Sequence, residues 1–101
     1  MLICVTGHYQ LRADAFDPCK QAIDRFVKHV QANEPGTLAY VACQDSSDPT
    51  RFMHGAVFED EAARQAHENS DAVKAFVDVL YPRAVEPVRF TEYRVIASKG
   101  G

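Results

Sequence analysis

Four histidines, four tyrosines and a scatter of carboxylates are the groups in this 101-residue chain that could move a proton. His67 lies in Ala66-His67-Glu68-Asn69-Ser70, beside the apolar stripe of a predicted helix. Histidine titrates near neutrality, so His67 could act as general base on a phenol or enol. A purely structural role predicts a half-buried ring bonded to a backbone carbonyl, closing the helix before Ser70. His54 falls mid-strand between Phe52 and Ala56, on the same face as Phe58. A polar ring among aromatics suits the wall of a pocket for a planar substrate; the alternative is a histidine at a rim or dimer seam. Tyr40 could orient a substrate oxygen, or pack in the core with its hydroxyl at the edge. Phe52, Phe58 and Phe76 are the side chains expected to hold an aromatic ring. His8 could reach the same space from the first strand, whereas His29 is expected to face solvent. Glu34 reads as local and structural. Arg89 and Glu92 read as an interface pair or as exposed groups.

Several chemistries lack the residues they need. The histidines form no His-x-x-x-His or Cys/His pattern, so no metal is expected. Phosphate loops, nucleophile elbows and dinucleotide fingerprints are absent. Net charge is −3 with no basic cluster, which argues against nucleic acid and anionic membrane as partners. No apolar run approaches membrane-spanning length. The apolar start, Met1 to Val5, reads as a strand and not as a signal peptide. Cys4, Cys19 and Cys43 are odd in number and scattered, as expected of reduced thiols in a cytoplasmic protein.

The elements that must position these groups follow from period and punctuation. Residues 2–11 are β-prone, with Ile3, Val5, Tyr9 and Leu11 on one face and Cys4, Thr6, His8 and Gln10 on the other. Asp17-Pro18 predicts a helix start, and Phe16, Cys19, Ile23, Phe26, Val27 and Val30 recur at helical spacing. Glu34-Pro35-Gly36 stops that helix. Thr37–Gln44 is a strand with Leu38, Tyr40 and Ala42 on one face. A polar loop follows, then a strand over Arg51–Glu59 with Phe52, His54, Ala56 and Phe58 together. Asp60 can cap a helix over 61–68, and Ser70 another over 71–80; Ala63, Ala66, Val73, Phe76, Val77 and Leu80 supply their buried side. Tyr81-Pro82 ends it, and Pro87–Ile96 is the last strand.

The order β-α-β-β-α-β predicts one α+β domain over 1–101, ferredoxin-like, with a core of about 2–96 and a flexible tail at 97–101. Helices would cover one face of a four-stranded antiparallel sheet. Both strand faces carry apolar side chains, and one helix layer cannot bury both. A homodimer through the open sheet face is therefore expected.

Glu34-Pro35-Gly36, Tyr40, Asp48-Pro49, Phe52, Phe58, Asp60, Ala63, His67 and Ser70 stand in an order and at gaps that carry a family likeness. Over about residues 2–96 the chain resembles the antibiotic biosynthesis monooxygenase family. That resemblance implies a dimeric α/β barrel. It also implies cofactor-independent oxygenation of an electron-rich aromatic, a quinol or polyketide anthrone. The family often has glutamate where this chain has Ala56, histidine where it has Ala72 and tryptophan where it has Phe58. The chain has no tryptophan, so the haem-degrading branch fits poorly. On this reading His67 removes a phenolic proton, His54 or Tyr40 bonds a substrate oxygen, and the phenylalanines hold the ring. The alternative is a non-catalytic small-molecule-binding or stress-related barrel using the same pocket; a proton-transfer isomerase is a third. The deciding feature is how many polar groups meet around His67.

Overall fold

The computed structural model describes residues 1–99; the outermost part of the expected tail, Gly100 and Gly101, lies outside them. The elements are β1 (Ile3–Gln10), α1 (Phe16–Asn33), β2 (Thr37–Gln44), β3 (Arg51–Phe58), α2 (Glu61–Glu68), α3 (Asp71–Leu80), a 3-10 turn (Tyr81–Arg83) and β4 (Arg89–Arg94). All pairings are antiparallel and the sheet order is β2-β3-β1-β4. This is the predicted ferredoxin-like α+β arrangement.

Strict alternation on β3 sets the two faces. Phe52, His54, Ala56 and Phe58 are buried, and Met53, Gly55 and Val57 between them are half-exposed. Cys19, Ala22, Phe26 and Val30 form the buried stripe of α1. Tyr9, Leu11, Cys19, Phe52 and Leu80 make one buried cluster. As expected, Asp60 Oδ1 accepts from the Ala63 amide, and Ser70 Oγ accepts from the Val73 amide. Asn69 and Ser70 thereby divide the second helical segment in two.

Four local expectations need correction. Helix α1 begins at Phe16 with Ala15 in the cap position, without a side-chain cap bond. Asp17 and Pro18 sit inside its first turn, where a carboxylate still favours the helix dipole. A bulge between Thr37 and Ala39 leaves Leu38 half-exposed at 51%, off the Tyr40 face. Ala66 is exposed and α2 has no buried residue. Strand β4 is shorter than Pro87–Ile96, though the Val95 amide still donates to the Leu2 carbonyl at 3.3 Å.

Gly36 explains how α2 comes so close to the α1–β2 turn. A Cβ built there would lie 2.7 Å from the Ala63 Cβ, closer than two carbons can pack. Its carbonyl also accepts from the Glu59 amide at 2.9 Å. Gly36→Ala is therefore expected to push α2 outward and cost about 1–3 kcal/mol, read by urea denaturation. Ala63→Gly in the same chain should restore part of that loss. A Gly36→Ala midpoint equal to wild type would refute the close-approach account.

Candidate active site

A cavity of about 290 Å³ lies between the sheet and the helices. Val5, Gly7 and Tyr9 of β1, Tyr40 of β2, and His54, Ala56 and Phe58 of β3 line one side. Phe26, His67, Val73, Phe76, Val77 and Leu80 line the other, with Tyr81, Val88 and Phe90 beside them. Phe26 and Phe76 stack at 5.0 Å, and Phe76 also stacks on His54 at 5.5 Å. These aromatics wall the space without filling it.

Two polar devices meet there. His67 Nδ1 lies 2.7 Å from Glu34 Oε1, and both side chains are largely buried, at 12% and 13% exposure. Glu34 Oε1 also accepts from Thr37 Oγ1 at 2.8 Å, while buried Oε2 has no partner among the described residues. An ionised carboxylate only accepts, so the contact makes Nδ1 the protonated nitrogen of His67. Nε2 is then the basic nitrogen, and it has no hydrogen-bond partner among the described residues. The expected backbone-carbonyl partner is replaced by a carboxylate, and Glu34 does more than shape its turn.

His54 is buried at 7% exposure. The Tyr9 hydroxyl lies 2.7 Å from its Nε2, and the Tyr40 hydroxyl 2.7 Å from its Nδ1. Burial pushes the His54 pKa down to about 4, because an imidazolium loses its water there. Burial likewise pushes the Tyr9 and Tyr40 hydroxyls up, with neighbouring negative charge adding to it. The chain of three rings is therefore neutral at physiological pH.

The sign of the His54 effect on stability follows. Its folded pKa lies below the unfolded value of about 6.5, so the unfolded chain binds more protons between them. The advantage of burying a neutral ring is present above about pH 6.5 and is lost as pH falls toward 4. Its slope approaches about 1.4 kcal/mol per pH unit. Urea denaturation from pH 7 to 4 should show a steeper fall in wild type than in His54→Gln. Parallel curves would show that His54 is not buried neutral.

The other expected residues fall as follows. Tyr40, Phe58 and Phe76 are on the cavity wall, as are His54 and His67. Phe52 is not: its ring stacks between Tyr9 at 5.3 Å and Phe16 at 5.9 Å, one step down β3 in the packed core. His8 is exposed on the opposite sheet face, opposite Met53 and Arg89. His29 sits on α1 beside Asn33, away from the cavity. Glu92 pairs with Arg64 of α2 at 3.3 Å. Tyr9, read from the sequence only as a strand-face residue, and Glu34, read as local and structural, both bond a histidine of the site. Among the described residues no group of three or more His, Cys, Asp or Glu side chains is placed to hold a metal.

A four-stranded antiparallel sheet with three helices on one face, and a histidine-bearing cavity between the two layers, defines a ferredoxin-like α+β domain. The family model for antibiotic biosynthesis monooxygenase matches residues 2–79, and the chain belongs to that family. Solved structures agree on the fold. A candidate antibiotic biosynthesis monooxygenase from Nitrosomonas europaea superposes with TM-score 0.88 at 19% identity, covering 94% of this chain and 90% of that one. One from Caulobacter crescentus gives 0.89 at 17% identity, covering 95% and 91%. A Mycobacterium tuberculosis protein gives 0.89 at 14% identity, covering 98% and 99%. No curated protein matches the chain.

Proposed function

We propose that this protein is a cofactor-independent monooxygenase of an electron-rich aromatic, of quinol or anthrone type. The observation that carries it is the convergence of two polar devices, Glu34–His67 and Tyr9–His54–Tyr40, on one aromatic-walled cavity. A lone histidine on an apolar wall would have favoured simple binding.

His67 Nε2 takes the acidic proton of the substrate, and Glu34 supports the positive ring that forms. The anion passes one electron to O2, and the two radicals join in a C–O bond. The peroxide anion takes the proton back from His67, and the hydroperoxide then loses water to leave a ketone. One oxygen atom enters the product and the other leaves as water, so the substrate supplies every electron. Tyr40 bonds the substrate oxygen, and Phe26, Phe58 and Phe76 hold the ring and keep water away.

The sheet face opposite the helices carries Val41 and Tyr93, half-exposed at 51% and 50%, with Met53 and Val57. It supports a homodimer closed face to face, for which sedimentation equilibrium should give about twice 11.2 kDa. A monomer mass would sink that part. The three free cysteines favour a reducing, cytoplasmic setting, which cell fractionation would check. No helix of the described residues is long and apolar enough to cross a membrane.

The test is oxygen uptake with a panel of hydroquinones and anthrones under ¹⁸O2. The expected result is one oxygen consumed per substrate and one labelled atom per product. No uptake above the buffer rate would remove the oxygenase reading for that panel. It would favour a non-catalytic binding role, to which Ala56, an apolar residue on the cavity wall, lends support.

A further inference from the structure

We propose that Tyr9, His54 and Tyr40 form a proton-polarised relay in which Tyr9 sets the tautomer of His54 so that Tyr40 donates to a substrate oxygen. This rests on the oxygenase reading and narrows its substrate class. The relay favours aromatics whose carbonyl or phenolic oxygen is conjugated to the acidic position and gathers negative charge as His67 takes the proton.

Proton counting carries it. Neutral His54 has one N–H, and each tyrosine has one O–H. Three protons serve two internal hydrogen bonds, each 2.7 Å long. One donor is always left over, and it must be a phenolic O–H at one end of the chain. With the proton on Nε2, Tyr40 donates to Nδ1 and the spare O–H is at Tyr9. With the proton on Nδ1, Tyr9 donates to Nε2 and the spare O–H is at Tyr40.

Surroundings separate the two ends. Tyr9 also reaches the cavity wall, but its ring is 6% exposed and stacked on Phe52. Tyr40 is half-buried, and its ring lies 5.9 Å from the His67 ring. The Nδ1–H form therefore presents the spare donor next to the base. A ligand oxygen that can only accept selects that form. Each bond in the chain polarises the next, so Tyr9 strengthens a donor it does not touch. Tyr9 is a positioning residue.

The test uses 4-nitrophenolate as probe and nitrobenzene as the control lacking the phenolic oxygen, with ¹⁵N-histidine-labelled protein. With phenolate bound, the His54 ¹⁵N shifts should place the proton on Nδ1. Tyr40→Phe should weaken phenolate binding about ten- to a hundredfold and leave nitrobenzene unchanged. Tyr9→Phe should weaken phenolate alone, and should have no further effect once Tyr40 is phenylalanine. Packing around the shared cavity would couple the two variants for nitrobenzene as well, so non-additivity confined to phenolate marks the relay. A proton on Nε2 in the complex, equal losses for both probes, additive variants, or no phenolate binding to wild type would each overturn the relay. If Tyr9→Phe does not fold, the wild-type shifts and Tyr40→Phe decide it. Because no turnover is needed, the relay can hold while oxygenation fails, and the reverse.

Discussion

Replacing His67 with glutamine is expected to lower aromatic-dependent oxygen uptake about 10²- to 10⁴-fold, the usual contribution of a positioned base, while the protein stays folded. The pairing with Glu34 decides the choice of variant. Glu34 is largely buried and has Thr37 and His67 as its donors. Alanine at 67 would remove one of them and add about 1–3 kcal/mol of destabilisation from an undersupported carboxylate. Glutamine can still donate to Oε1 but cannot take a proton. Uptake lost in both His67→Gln and His67→Ala, with stability lost only in the alanine variant, would separate the base from the brace. His67→Gln turning over within about threefold of wild type would move the base elsewhere, with His54 next in line on geometry and poorly suited by its lowered pKa.

The largest effect on stability should come from Phe58→Ala, at about 3–5 kcal/mol. Phe58 is 2% exposed, and it pairs with Ile3 of β1 and Thr37 of β2 at the end of the central strand. Its ring lies 5.1 Å from His67. Alanine would lose the transfer energy of a buried ring and leave a void that three strands cannot close. Against a total of about 5–15 kcal/mol for a domain, that is a large share. Urea denaturation should show it, and Phe58→Leu should lose much less. A loss below about 1 kcal/mol for alanine would mean that the neighbours collapse into the space.

Strands and helices were legible in this sequence because their signals are local. Phe52, His54, Ala56 and Phe58 follow the two-residue period and are all buried. Asp60 and Ser70 announce their helices through bonds three residues long. The site was legible only in part, because its bonds are distant in sequence. Tyr9 meets His54 across 45 positions, and Glu34 meets His67 across 33. Periodicity can name the face a residue occupies but not its partner on another strand. Phe52 illustrates the limit. Its alternation gives the correct face, yet the ring misses the cavity, because position along the strand, set by register with Tyr9, decides which ring fills the core. Leu38 leaves its expected face at a bulge, for which an apolar alternation gives no warning.

Helix α2, which carries His67, has no buried residue of its own. It is tied by the close approach at Gly36, the Glu34–His67 pair, the contacts of the His67 ring with Phe26 and Phe58, and the Arg64–Glu92 ion pair, while the bonds of Arg64 to Glu61 and Glu68 lie within the helix. Exposed ion pairs hold weakly and are screened by salt. The segment can therefore open at a fraction of the cost of unfolding the sheet. Its amides should exchange with deuterium well before those of β1 and β3, faster still at high salt. Equal protection across α2 and β3 would contradict this. Opening of that segment would widen the cavity on the His67 side while the sheet beneath it stays paired.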